Sequence, residues 1–238
     1  MQASQRARPT RSTERTGVIP SLRPPTAARG LIFDFDGTLV DSDVLNFHAL
    51  NYALNQTSDR SDLQVTFGWF MGHSGLSLED ALCILTCERV AAIDLGAVRV
   101  ARENYLLTHL DELAVRDEVA AIADSYQHHP CAIGTGGNAA VVRPALHALG
   151  LSHLFDVVIT RDDVTAGKPS PEIFLRAADA LGLPAHLVHV YEDTAEGLAA
   201  AAAAGMTATD VRSPTIEAAE CLTTLAPLNV ASTDRRKP

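Results

Sequence analysis

At 238 residues and 47% apolar content, the chain is long enough to bury one sizeable core, or a core with a smaller insert. Its apolar runs are too short to span a bilayer, so no membrane helix is expected. The formal charge is −10; six arginines against one glutamate in residues 1–29 leave 13 basic and 28 acidic residues in the remainder. That acidic body excludes nucleic-acid binding through a general positive field, and an anion bound to it needs locally placed cations instead.

Residues 1–29 are rich in Arg, Ser, Thr and Pro and carry no periodic apolar positions, so they predict an undocked, disordered tail. A transit peptide shares such a composition, but no apolar core of a secretory signal is present. A plain extension is the preferred reading.

Gly30 to Phe33 is short, β-branched and aromatic, as a buried parallel strand should be. Asp34 and Asp36 follow it immediately, and Asp36-Gly37 breaks the strand. Both carboxylates therefore belong at a strand's carboxyl end, where open α/β sheets collect their ligands.

Residues 43–57 place apolar side chains at helical spacing, and the pattern continues through 76–93 and 95–114 without strand alternation. Gly68, Gly72 and Gly75 read as turns between these helices. Strands are then expected at Cys131–Thr135, Phe155–Thr160, His186–Tyr191 and Met206–Val211, with helices from Ala139, over Pro171–Leu181 and over Gly197–Ala204. This alternation predicts an α/β fold with a parallel sheet covered by helices on both faces. Residues from about 226 onward should fray.

Four cysteines (Cys83, Cys87, Cys131 and Cys221) show neither Cys-x-x-Cys nor zinc spacing, and read as small buried hydrophobes. The histidines, including His128 and His129 before Pro130, also lack metal spacing.

The string Asp34-Phe-Asp36-Gly-Thr after a strand, with Val40-Asp-Ser42 behind it, resembles the first motif of the haloacid dehalogenase (HAD) superfamily in its β-phosphoglucomutase-like, sugar-phosphate branch. Thr135 before Gly136-Gly137, Lys168 within Lys-Pro-Ser-Pro-Glu-Ile-Phe, and Glu192-Asp193 closing a strand, with Gly197 five positions on, resemble the second, third and fourth motifs. They occur in the family's order across residues 30–212. The resemblance implies a HAD-like Rossmannoid three-layer core from residues 30–44 and 114–225, with a small helical cap inserted over 45–113.

It also implies roles. Asp34 would be the nucleophile of an aspartyl-phosphate path, and Asp36 the general acid and base. Thr135 and Gly136 would hold the phosphate, and Lys168 would neutralise it. Asp34, Asp36, Glu192 and Asp193 would hold Mg2+, which accepts an octahedron of oxygens completed by waters and substrate phosphate. The expected protein is a cytoplasmic, monomeric phosphatase of a small phosphorylated metabolite, most simply a sugar phosphate. A hexose-phosphate mutase and a non-catalytic binding relative are the alternatives.

Two departures bear on substrate identity. Much of the branch carries a His twelve residues after the nucleophile, where this chain has Asn46, with His48 two residues on. The loop from Gly72 to Glu79 offers no Arg or Lys, only His73.

Overall fold

A computed structural model describes residues 22–58, 60, 63–89, 91–126 and 128–212. The expected C-terminal fraying and residues 1–21 of the expected tail lie outside the described residues.

Strand β1 (Gly30–Phe33) is buried along its whole length. Leu31 and Phe33 face one core cluster and Ile32 the other, because successive side chains of a strand alternate. β4 (Cys131–Gly134) and β6 (Val188–Glu192) flank β1, each parallel to it. β5 (Val157–Ile159) and β7 (Thr207–Asp210) complete a five-stranded parallel sheet of order β5-β4-β1-β6-β7.

On the Leu31 and Phe33 face pack α5 (Asp117–Ser125), through Val119 and Ile122, and α6 (Ala139–Ala148), through Val142 and Leu146. On the Ile32 face lie α7 (Glu172–Ala180), through Ile173 and Phe174, and α8 (Ala195–Ala203), through Ala200 and Ala201. Two apolar clusters sandwiching one sheet give the expected three layers.

Between β1 and β4 the chain leaves the sheet and returns. It departs through β2 (Val40–Asp41) and comes back through β3 (Ala114–Val115), which pairs antiparallel with β2. The excursion contains α1 (Asp43–Thr57), α2 (Phe67–Gly72), α3 (Leu78–Arg89) and α4 (Leu95–Thr108). These helices bury their own cluster, including Leu50, Leu54, Leu82, Leu85 and Val98. Leu45, Ala49 and Leu106 form a second cluster that reaches Val141 of α6 and so joins the insert to the core.

Several expectations are corrected. Gly68 and Gly72 lie inside α2 instead of marking turns. The Thr66 hydroxyl accepts from the Trp69 amide to cap that helix, and Phe67 and Phe70 pack on Phe47, which together outweigh the glycine cost of about 1 kcal/mol per residue. The helix expected to run to 114 ends at Thr108, because 114–115 are drawn into β3. Helix α5 has no counterpart in the expected elements. Cys83 and Cys87 are exposed on α3, whereas Cys131 is buried as expected.

The N-terminal boundary also moves. Leu22 is 1% exposed within the main core cluster, and its carbonyl accepts a 2.7 Å hydrogen bond from the buried Tyr191 hydroxyl. The Arg29 amide donates to the Leu187 carbonyl. Residues 22–29 therefore belong to the folded body, although their sequence carries no repeating apolar spacing.

Candidate active site

The site is built at the carboxyl ends of β1, β4 and β6. Asp34 follows β1, is 5% exposed, and its amide donates to the Tyr191 carbonyl, fixing it beside the end of β6. Lys168, delivered by the segment before α7, donates to Asp34 Oδ1 at 2.6 Å and to Glu192 Oε2 at 2.6 Å. Its ammonium also lies 5.0 Å from the centroid of the Phe174 ring. Burial alone favours a neutral amine, but the charges of Asp34 and Glu192 more than reverse that and hold Lys168 protonated above its ordinary range.

Glu192 is fully buried and richly hydrogen-bonded. One oxygen accepts from Lys168; the other accepts from the Thr194 hydroxyl at 2.7 Å and from the amides of Thr194 and Asp193. Thr194 also caps α8, accepting from the Gly197 amide. A Cβ at Gly197 would overlap the Glu192 carboxylate, so glycine there is a requirement of space.

Asp193 is more open, accepting from the Thr38 hydroxyl at 2.9 Å. Burial and then the neighbouring Glu192 push its pKa up to about 6. Asp34 is raised well above the carboxylate range, first by burial and then by Glu192, with Lys168 opposing. Asp34, Glu192 and Asp193 present oxygens within 4.8 Å of one another. Three hard oxygen donors whose charges disfavour one another at that separation suit a divalent cation such as Mg2+, which would relieve the repulsion.

Asp36 is not part of that acidic group. Its Oδ1 accepts from the Ser42 hydroxyl at 2.6 Å and from the Asn46 amide at 3.0 Å. Asn46 in turn accepts a 2.6 Å hydrogen bond from Arg102 of α4, and burial lowers the pKa of that guanidinium. The second oxygen of Asp36 approaches Gly137, where a Cβ would stand 3.3 Å from it. A cleft between insert and core opens here, lined by Asp36, Asn46, Arg102, Leu106, Asn138 and Val141.

Thr135 immediately follows β4 and is 1% exposed; its hydroxyl oxygen accepts from the Gly137 amide, while Gly136 lies exposed at the bend. The amide of Ala139 at the start of α6 is taken by the carboxylate of Asp162 at 2.8 Å, so part of the capacity of this helix start to bind an anion is met internally. His73 stacks on Trp69 and bonds its carbonyl, and His48 is exposed.

Sequence reasoning missed Ser42, Arg102, Thr38 and Thr194 as neighbours of the site. Ser42 and Thr194 stand beside recognised motif residues and could have been found. Arg102 could not, because 56 residues separate it from Asn46.

Comparison with known proteins bears on the family and the fold. Residues 28–205 match the family described as haloacid dehalogenase-like hydrolase. The chain is 32% identical over 195 residues to the fructose-1-phosphate phosphatase YqaB of Escherichia coli (strain K12), covering 77% of this chain and 96% of that one. It is 28% identical over 207 residues to the β-phosphoglucomutase of Mycobacterium bovis, covering 74% and 78%. In fold it is similar to CbbY from Rhodobacter sphaeroides in complex with phosphate, with a TM-score of 0.66 at 22% identity over 76% of this chain and 84% of that one. A parallel sheet with an acid-bearing central strand, a match over most of the chain and a relative above 30% identity together carry one conclusion: the chain belongs to the haloacid dehalogenase-like hydrolases.

Proposed function

We propose that the protein is a magnesium-dependent phosphatase of a small phosphorylated metabolite, a sugar phosphate in the first instance, working through an aspartyl-phosphate on Asp34. The observation that carries this reading is the buried ion pair of Lys168 with Asp34 and Glu192, which keeps a strand-end carboxylate in place beside a fixed cation.

In this reading Asp34 attacks phosphorus as the bond to the leaving oxygen breaks. Asp36, entering as the carboxylic acid, gives its proton to the departing alkoxide, then takes one from the water that attacks the aspartyl-phosphate. Inorganic phosphate leaves and Asp34 is regenerated. Thr135 and Gly136 bind the phosphoryl oxygens, and Lys168 balances their charge. Asp34, Asp193 and Glu192, with the Asp36 carbonyl as the resemblance implies, would hold Mg2+, which supplies positive charge at the phosphoryl group. The helices between residues 45 and 113 act as a cap over the cleft at Asp36, whose lining of apolar side chains with a few polar groups is of the kind that takes a small metabolite.

Hydrolysis of a panel of phosphate esters tests the proposal. Turnover should require Mg2+ and stop with a chelator. Asp34→Asn should lower kcat by at least about a thousandfold while leaving the melting temperature near wild type. Near-normal turnover in that variant would overturn the nucleophile assignment.

The relatives include a β-phosphoglucomutase, so a mutase is the second reading. Against it, Asn46 next to Asp36 offers no titratable group. Phosphate release without a bisphosphate activator separates the two readings.

A further inference from the structure

Gly37, between Asp36 and Thr38, has a φ of +74°, and a Cβ there would overlap the Asp193 carboxylate. Residue 37 must therefore be glycine on two counts; its amide donates to the Val40 carbonyl at 2.8 Å, and glycine's wide backbone freedom leaves the next peptide, Gly37–Thr38, in need of a hold of its own. The structure tightens it from a distant part of the chain. Arg116, immediately after β3, donates from Nη1 to the Gly37 carbonyl at 2.6 Å, while its own amide donates to the Leu39 carbonyl at 3.0 Å. Its side chain is 19% exposed, and its other partner is Glu118 at 3.4 Å. On the far side of the same peptide, the fully buried Thr38 donates its hydroxyl to Asp193.

We propose that Arg116 is a positioning residue: its guanidinium fixes the Gly37 carbonyl, thereby keeps Thr38 on Asp193, and so aims that carboxylate at the cation. A charged donor on a backbone carbonyl is among the stronger hydrogen bonds a loop can receive. The clamp sits directly after the strand by which the chain returns from the helical insert, and β2 pairs with that strand at Val40↔Val115 and Asp41↔Ala114. Asp193 thus takes its orientation in part from the insert's exit. The inference rests on the magnesium-dependent reading of the site.

The test uses the full chain and measures Mg2+ binding directly by calorimetry, alongside Mg2+ activation of turnover and thermal unfolding. Arg116→Met keeps the apolar stem and removes the donors. It should weaken Mg2+ about tenfold in both measurements, as expected for losing roughly 1.4 kcal/mol of alignment, while the substrate KM at saturating Mg2+ stays within about twofold. Arg116→Lys should recover most of the loss. Thr38→Val should show a similar loss, and the double variant should be no worse than Thr38→Val alone, because both act through one contact.

Wild-type Mg2+ affinity in Arg116→Met, with only a lower melting temperature, would reduce Arg116 to a structural role and overturn the proposal. Losses that add in the double variant would overturn the route through Thr38. A wild-type chain that hydrolyses esters without binding Mg2+ would overturn the metal reading, and this inference with it.

Discussion

Glu192 has almost no freedom: four donors converge on its two oxygens, and α8 passes so close that Gly197 has no room for a side chain. Gly197→Ala separates two opposing effects. In an ordinary helix the change gains up to about 1 kcal/mol, but here the added methyl must displace a buried carboxylate that holds Lys168. Disturbing one member of a buried ion pair costs about 3–5 kcal/mol, so the clash wins. The variant should melt lower than wild type despite its better helix propensity, and should lose most of its turnover. A higher melting temperature with normal activity would show that Glu192 is less constrained than its contacts imply. At this scale the sequence was most informative where chemistry comes in contiguous strings. Asp34, Asp36, Lys168 and Glu192-Asp193 each stand in a short motif whose neighbours shape the local turn. Arg102 and Arg116 have no such context; Arg102 reaches Asn46 because α4 packs against α1 within the insert, and Arg116 reaches Gly37 because β3 brings the chain back beside β2.

Strands of four or five residues were readable because β1, β4 and β6 are buried on both faces and so carry unbroken apolar character. Apart from Glu192 at its end, β6 contains an exception, His189, which is 2% exposed. Its ring nitrogens bond the hydroxyls of Thr207 and Thr209 on β7 at 2.7 and 2.9 Å. Two hydroxyls, each able to donate or accept, satisfy a neutral imidazole fully. Burial lowers the His189 pKa to about 4 from 6.5. Above pH 6.5 neither the folded nor the unfolded chain protonates this ring, and it makes no pH-dependent contribution. Between 6.5 and about 4 the unfolded chain takes up a proton that the fold refuses, so stability falls as pH falls, by on the order of 3 kcal/mol across the window. His189→Gln keeps a hydrogen-bonding side chain between the two threonines and cannot titrate. Its melting temperature should fall less steeply than wild type between pH 6.5 and 4; an unchanged slope would locate the sensitivity in other groups. Element α2 shows the opposite limit of legibility, because two glycines in six residues masked a helix that Thr66 and the aromatic packing sustain.

Across the whole molecule, Leu22 matters more than the composition around it suggests. One apolar residue among Arg and Pro gives no periodicity to read, yet it fills the core beneath Tyr191, whose ring stacks on Phe33 at 4.9 Å directly below Asp34 and Glu192. Replacing a buried leucine by alanine typically costs about 2–5 kcal/mol. Leu22→Ala, or removal of residues 1–25, should therefore lower the melting temperature by several degrees, whereas removal of residues 1–21 should leave Leu22 in place and the melting temperature close to wild type. Equal melting temperatures for the two truncations would show that Leu22 contributes little.

The position of β1 also sets a problem of timing during synthesis. Leu31 pairs with Cys131 on one side and His189 on the other, so the central strand is made first and its two neighbours much later. At roughly 5–20 residues per second, a ribosome needs on the order of ten seconds or more after making β1 before both partners exist. Through that interval an apolar strand waits with both edges unpaired, which is the kind of segment that associates wrongly with other chains. The helices of the insert, whose contacts are local, are the part of the chain able to fold meanwhile. Yield of native enzyme should consequently depend on chaperones that shield nascent chains, and slower translation between β1 and β4 should deepen that dependence.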